Sequence, residues 1–189
     1  MREFAIVCLL LFALAAVGCG SKPANSEASN ANANAESPFA SITDAKAALD
    51  EGKRLLDENQ TELAIQALQQ AVKLDEGLAE AYFQLGIAYS LYEMQMERSG
   101  TATGPASAKP NSQKAFETAV TAYKKWVEAN PKDDVAFFNL GRTYAKLIKD
   151  EEAEEAFRQA VKLKPDDSEY QMELGTILIR LAKYSEAVG

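Results

Sequence analysis

Residues 134–167 read Asp-Val-Ala-Phe-Phe-Asn-Leu-Gly-Arg-Thr-Tyr-Ala-Lys-Leu-Ile-Lys-Asp-Glu-Glu-Ala-Glu-Glu-Ala-Phe-Arg-Gln-Ala-Val-Lys-Leu-Lys-Pro-Asp-Asp. Gly141 sits between Leu140 and, three positions on, Tyr144, with Phe137 four positions before it. Ala153 follows twelve positions after the glycine, and Phe157 comes one helical turn later. Pro165 closes the stretch, because it has no N–H and its ring clashes with the preceding turn. Asp166, Asp167 and Ser168 then supply side chains that cap a new helix.

The same rungs recur along the chain. Glycines stand at Gly52, Gly86, Gly141 and Gly175, spaced 34, 55 and 34 residues apart. Alanines stand at Ala64, Ala119, Ala153 and Ala187, spaced 55, 34 and 34. A single insertion of 21 residues in the second unit reconciles the two series. Leu85 and Leu174 precede their glycines as Leu140 does. Leu55, Tyr89 and Leu178 follow theirs by three, and Leu68 and Tyr123 follow the alanines by four. A fixed period of this length marks stacked repeats.

With these residues in hand, the chain resembles the tetratricopeptide repeat family, whose unit of 34 residues is a helix–turn–helix. The resemblance implies an all-α fold, a right-handed superhelical solenoid. Its small Gly and Ala rungs would let paired helices approach and its large residues would fill the space between them. The domain is expected over 41–189, with units at about 45–78, 79–133, 134–167 and a partial 168–189. The insertion falls around 93–113; Leu91 to Met96 prolongs a helix, and 99–112 form a Gly/Pro-punctuated loop that serves either recognition or nothing beyond connection. Trp126 stands where the family has a small alanine, and the expectation is a core residue. In the last unit Leu174, Ile177, Leu178 and Leu181 form the packing face, and a second helix starts near Tyr184. Three readings of that end stay open: an incomplete sequence, a short cap, or a face covered by a partner or a second copy.

The front of the chain differs. Residues 4–17 are uncharged and apolar. As a helix they reach about 21 Å, short of the ~30 Å hydrocarbon core, so a signal-peptide core fits better than a membrane span. Ala16-Val17-Gly18-Cys19 resembles a bacterial lipobox, which implies cleavage after Gly18 and a diacylglycerol anchor on Cys19. Residues 1–18 are then the signal peptide, and 19–40 a lipidated, disordered linker poor in large apolar residues. The other cysteine, Cys8, leaves with the signal peptide. Gly20 after Cys19 implies, by the same analogy, the outer membrane, facing the periplasm.

Composition narrows function. The 189 residues carry 20 Lys+Arg, 28 Asp+Glu and no His, for a net charge of −8. Without His, neither Ser-His-Asp catalysis nor a His-held zinc site can be built. The acidic balance argues against nucleic acid, whose phosphates are neutralised by Lys and Arg. No phosphate-binding Gly-rich loop appears. The expectation is a non-enzyme with no cofactor beyond the lipid on Cys19 and no metal.

In the resembled family the first helix of each unit lines a concave face. Carried onto this chain, that face holds Lys46, Leu49 and Lys53, then Phe83, Ile87 and Leu91, then Phe138, Asn139, Arg142 and Lys146, and finally Met172, Thr176 and Arg180. It would be apolar in the middle and cationic around it. Two readings stay open: a groove for a peptide with apolar anchors and acidic flanks, or rings that pack between repeats beneath solvated cations. Paired Asn residues of the carboxylate-clamp subtype are absent, since Asp50 and Gln84 stand beside Asn139. The expected function is a membrane-anchored scaffold or adaptor for cell-envelope assembly, of the pilus, secretion or outer-membrane type. Its partner is an envelope protein or peptide, with self-association through the uncapped last unit. The alternatives are a periplasmic chaperone-like carrier of hydrophobic segments, or an accessory subunit of a cell-wall enzyme.

Overall fold

The structure is a computed structural model that describes residues 37–101 and 109–188. The expected signal peptide, Cys19, most of the expected linker and residues 102–108 of the insertion lie outside the described residues. The described part belongs to the compact unit Glu36–Gly189.

Seven helices and no strand occur among the described residues: α1 (Ala45–Asp57), α2 (Thr61–Leu74), α3 (Ala79–Ser99), α4 (Asn111–Ala129), α5 (Asp134–Lys146), α6 (Asp150–Leu163) and α7 (Ser168–Val188). Each packs on the next in chain order, so α1/α2, α3/α4 and α5/α6 are hairpins stacked into a helical-repeat solenoid with α7 following. Acidic caps start three of the four first helices, α1, α5 and α7. The Asp44 carboxylate accepts from the N–H of Ala47 at 2.7 Å, and that of Asp133 from Ala136 at 2.9 Å. Asp167 accepts from Glu169 and Tyr170 at 3.1 and 3.3 Å. These bonds satisfy N–H groups that a helix start leaves without partners.

The fold begins before the expected linker boundary. Residues 38–41 form a turn, and Phe39 packs against the cluster of Leu55, Ala64 and Ala67. Gln70 donates to the Ile42 carbonyl at 2.8 Å. The last linker residues are therefore part of the first hairpin's cover, because Phe39 gains an apolar seat there.

Close approach explains the glycines. A Cβ on Gly52 would lie 2.5 Å from Leu68 Cγ, one on Gly86 2.6 Å from the Phe116 ring, and one on Gly141 2.7 Å from the Phe157 ring. Each glycine is thus the socket for one large side chain of its partner helix. In the second unit the filler is Phe116 and not Tyr123, the large residue that follows the ladder alanine Ala119 by four. Socket and filler are 16 positions apart in the first and third hairpins, but 30 apart in the second.

The extra residues are therefore divided. Fourteen enter between Gly86 and Phe116, where α3 runs on to Ser99 before the loop. Gly100 ends that helix at φ 69°, a left-handed conformation that costs glycine little. The other seven lengthen α4 beyond the point where α2 and α6 stop. Seven residues are close to two turns, so the same face stays turned inward. Tyr123 and Val127 accordingly continue the buried stripe of Phe116 and Ala119. Trp126 falls off that stripe. It is 51% exposed, and its indole N–H donates to Asp133 at 2.8 Å, which corrects its expected place in the core.

The hairpin turns repeat as well. Asn59 and Ile148 both adopt positive φ, 58° and 57°. Asn tolerates this conformation; a β-branched residue is strained there by about 1–2 kcal/mol. Ile148 is also 74% exposed, so it recovers little by burial. Ile148→Asn is expected to stabilise the protein by about 1 kcal/mol, read as a higher urea midpoint at unchanged slope. An unchanged midpoint would show that the turn carries no strain.

The last unit differs from expectation. Helix α7 is continuous from Ser168 to Val188, with no turn before Tyr184. Ile177 is buried, and Leu174 and Leu181 pack beside it against Phe157 and Tyr170. Leu178 remains 38% exposed, off the packing face. A Cβ on Gly175 would meet nothing within 4 Å.

Candidate functional face

The first helices lie side by side, and polar side chains bridge each neighbouring pair. Lys53 on α1 donates to Glu80 on α3 at 2.8 Å. The Arg142 guanidinium on α5 lies 5.1 Å from the ring centre of Phe83 on α3. The Tyr170 hydroxyl on α7 donates to Asp134 on α5 at 2.8 Å. The residues expected on the concave face are therefore neighbours, but their roles differ.

Phe83 and Phe138 are 2% and 5% exposed. Phe83 packs on Phe116 at 5.8 Å, and Phe138 sits between Phe157 at 5.6 Å and Tyr170 at 4.5 Å. Of the two readings, packing between repeats holds for these two rings, and Phe83 and Phe138 are not open anchors: each joins one repeat to the next, and a ligand can reach only what lies over it. Leu49 is buried in the same way. The apolar surface that remains is Met172 at 61% exposure, Leu91, and the half-buried Ile87.

The cations are also redistributed. The Lys53 ammonium is paired with Glu80, whose carboxylate raises its pKa. Arg180 is paired with Asp150 through both ends of its guanidinium, with Nε to Oδ2 at 2.9 Å. Asp150 is only 2% exposed, so this ion pair ties α7 to the start of α6. Arg142 and Lys146 form no ion pair among the described residues. Lys46 is exposed, as is Thr176, whose hydroxyl donates to the Met172 carbonyl at 3.0 Å. Asn139 is half-buried next to Arg142 on α5. What α5 offers outward is Asn139, Arg142 and Lys146, with Met172 on α7 beyond.

Two features of this region fall outside the face read from the sequence. One is Glu80, which neutralises Lys53 from 27 residues away. The other is Tyr123. Its side chain is 5% exposed, and its hydroxyl is buried without a hydrogen-bond partner among the described residues. Burial pushes its pKa well above the usual tyrosine value, and the nearby Glu80 and Asp133 carboxylates add to this against the opposing charge of Arg142. Tyr170 is raised as well, by burial and by its bond to Asp134. A folded-state pKa above the unfolded one gives stability that is complete below the unfolded value of about 10 and is lost above it. Thermal midpoints are therefore expected to stay level as far as alkaline titration is concerned up to about pH 10 and to fall beyond it. Two of the seven tyrosines should ionise only on unfolding, seen at 295 nm. Ionisation of all seven before unfolding would contradict this.

Among the described residues no three metal-ligating side chains gather, and no helix is long and apolar enough to cross a membrane. An open hollow of about 280 Å³ lies at the α1–α2 turn, lined by Asn59, Gln60, Thr61, Glu62, Leu63 and Gln95.

The family model described as TPR repeat matches residues 52–91, and that described as tetratricopeptide repeat matches residues 112–175. The unmatched stretch between them holds the end of α3 and the loop to α4. No curated protein matches the sequence. Among solved structures, the first TPR domain of the human RPAP3 protein is similar over 75% of this chain and 95% of its own, at 19% identity and TM-score 0.51. The Sgt2 TPR domain from Aspergillus fumigatus is similar over 77% and 83%, at 16% identity and TM-score 0.50. The first TPR of Spaghetti (RPAP3), bound to an HSP90 peptide, covers 80% and 99%, at 18% identity and TM-score 0.49. These likenesses are in the fold.

Proposed function

The chain belongs to the tetratricopeptide repeat family, and from that premise we propose that it is a non-catalytic scaffold whose first-helix face holds a protein or peptide partner. The observation that carries this is the outer surface of α5 and α7. Arg142 and Lys146 stand there without ionic partners among the described residues, while Phe83 and Phe138 beneath them are engaged in the core. A surface of fixed helices presenting cations and one flexible apolar side chain, Met172, suits a segment with acidic and apolar groups.

The same proposal places the scaffold on a membrane. Cys19, in its lipobox-like setting, would carry the lipid, and the Ala/Asn/Ser-rich linker would hold the repeats off the surface of the cell envelope, in the outer membrane facing the periplasm. The partner would then be another envelope protein in an assembly complex.

The test is a paired capture from crosslinked cells. The Arg142→Glu/Lys146→Glu variant should keep its helical circular dichroism and lose the partner recovered with the parent protein. Equal recovery would refute the binding face. Cys19→Ser should move the protein from the membrane to the soluble fraction and abolish labelling by radioactive palmitate. A variant that stays membrane-bound would refute the anchor alone.

A further inference from the structure

Each filled glycine socket belongs to a hairpin, and the hairpins interlock in two ways. A large side chain of the second helix lies on the glycine: Leu68 on Gly52, Phe116 on Gly86 and Phe157 on Gly141. In the first and third hairpins the large residue three beyond the glycine, Leu55 or Tyr144, also packs beside an alanine of that second helix, Ala64 or Ala153. Helix α7 carries the same two features, Gly175 and Leu178. Among the described residues nothing lies within 4 Å of a Cβ on Gly175, and Leu178 is exposed.

What fits such a stripe is an antiparallel helix with a large and a small residue one turn apart. Helix α7 has that pattern itself. When the two-fold axis of an antiparallel pair passes between Thr176 and Ile177, Gly175 stands opposite Leu178 of the second copy, and Leu178 opposite its Gly175. Gln171 and Ala182, both exposed on the same face, stand opposite each other in turn. A two-fold interface demands this self-complementarity.

Charge favours the same occupant. The chain carries −8, so most of its faces repel a second copy. On α6 the exposed residues include Glu151, Glu152 and Glu155. On α7, from Gln171 to Ala182, they are Gln171, Met172, Thr176, Leu178, Ile179 and Ala182, none of them charged. Two copies meet here without burying an unpaired charge. The area sets the strength. The 21 residues of α7 make a strip about 31 Å long and roughly 10 Å wide, or about 300 Å² on each copy. A standard interface takes ~800 Å² per partner, so the pair is weak and reversible.

We propose that α7 pairs antiparallel with α7 of a second copy of this chain, Leu178 of each filling the Gly175 socket of the other. The inference does not rest on the peptide face.

The experiment is sedimentation velocity on the full chain, in a mild detergent that covers the apolar residues 4–17, from about 10 μM to about 1 mM. A monomer–dimer equilibrium is expected. Leu178→Ala should weaken it roughly a hundredfold, because symmetry removes the contact twice. Gly175→Leu fills the socket and should weaken it as much, without lowering the thermal midpoint of the monomer. Together, Gly175→Leu/Leu178→Ala exchange small for large and should bring the dimer back to within about tenfold of the parent. Leu163→Ala, on α6 and as exposed as Leu178 at 38%, should leave the equilibrium unchanged.

A monomer at every concentration would overturn the inference and leave the socket to a helix of another protein. A dimer indifferent to Gly175→Leu and Leu178→Ala, as association through residues 4–17 would be, overturns it too. So does an equal loss with Leu163→Ala. Loss in both single variants without recovery in the double one would overturn the pairing of Gly175 with Leu178. Failure of the peptide face is read separately, by undiminished capture with Arg142→Glu/Lys146→Glu.

Discussion

Gly86→Val is expected to destabilise the protein by about 3 kcal/mol, at the upper end for overpacking of a core. The first added carbon would lie 2.6 Å from two atoms of the Phe116 ring and 2.9 Å from a third. Phe116 cannot move aside easily, being 3% exposed and packed against Phe83. The substitution therefore pushes apart α3 and α4, the hairpin that carries both lengthened helices. Gly175→Ala is the control. It removes the same residue type from the equivalent rung of α7, but nothing lies within 4 Å of the new carbon. It should stabilise the protein by up to about 1 kcal/mol through helix propensity alone. Urea unfolding of the two variants reads the contrast. Similar effects at both sites would mean that the sockets do not set the helix spacing.

Phe157→Ala is expected to cost about 3–5 kcal/mol, as buried phenylalanine truncations do. The ring is 0% exposed, fills the socket over Gly141, and meets Phe138 at 5.6 Å. Phe138 in turn stacks on Tyr170, so the vacancy would open between α5, α6 and α7. In a chain of this size the loss corresponds to a fall in thermal midpoint of roughly 10 °C. Trp126→Ala removes a larger side chain from a surface site and should cost only about 1 kcal/mol, mostly its bond to Asp133. Comparable losses from the two would contradict the assignment of Trp126 to the surface.

The solenoid was legible because its sockets must be glycine: Gly52, Gly86 and Gly141 each take a large side chain that no Cβ would admit. The division of the second unit's extra residues was not legible. A shift of seven positions is nearly two turns, so Ala119 with Tyr123 occupies the same helix face as Ser112 with Phe116. Spacing cannot choose between those registers; only the ring lying on Gly86 does. Trp126 was misplaced by the same ambiguity.

The face was legible in position but not in role. A repeat's first helix packs against its own partner helix and against the next repeat, so the stripe beside the glycine can turn inward between repeats, as Phe83 and Phe138 do. The partners of Lys53 and Arg180 lie 27 and 30 residues away, at Glu80 and Asp150. Neither local charge pattern nor period announces such pairs. Tyr123 lies in the added turns of α4, and nothing in the repeat pattern marks its hydroxyl as unsatisfied.

The most direct test of the binding face is site-specific photo-crosslinking in intact cells. A photoreactive side chain is placed at Met172, on the first-helix face, or at Glu155, exposed on α6. The account predicts one or two discrete partner adducts from Met172 and none of the same mass from Glu155. The same adducts from both positions, or from Glu155 alone, would contradict it.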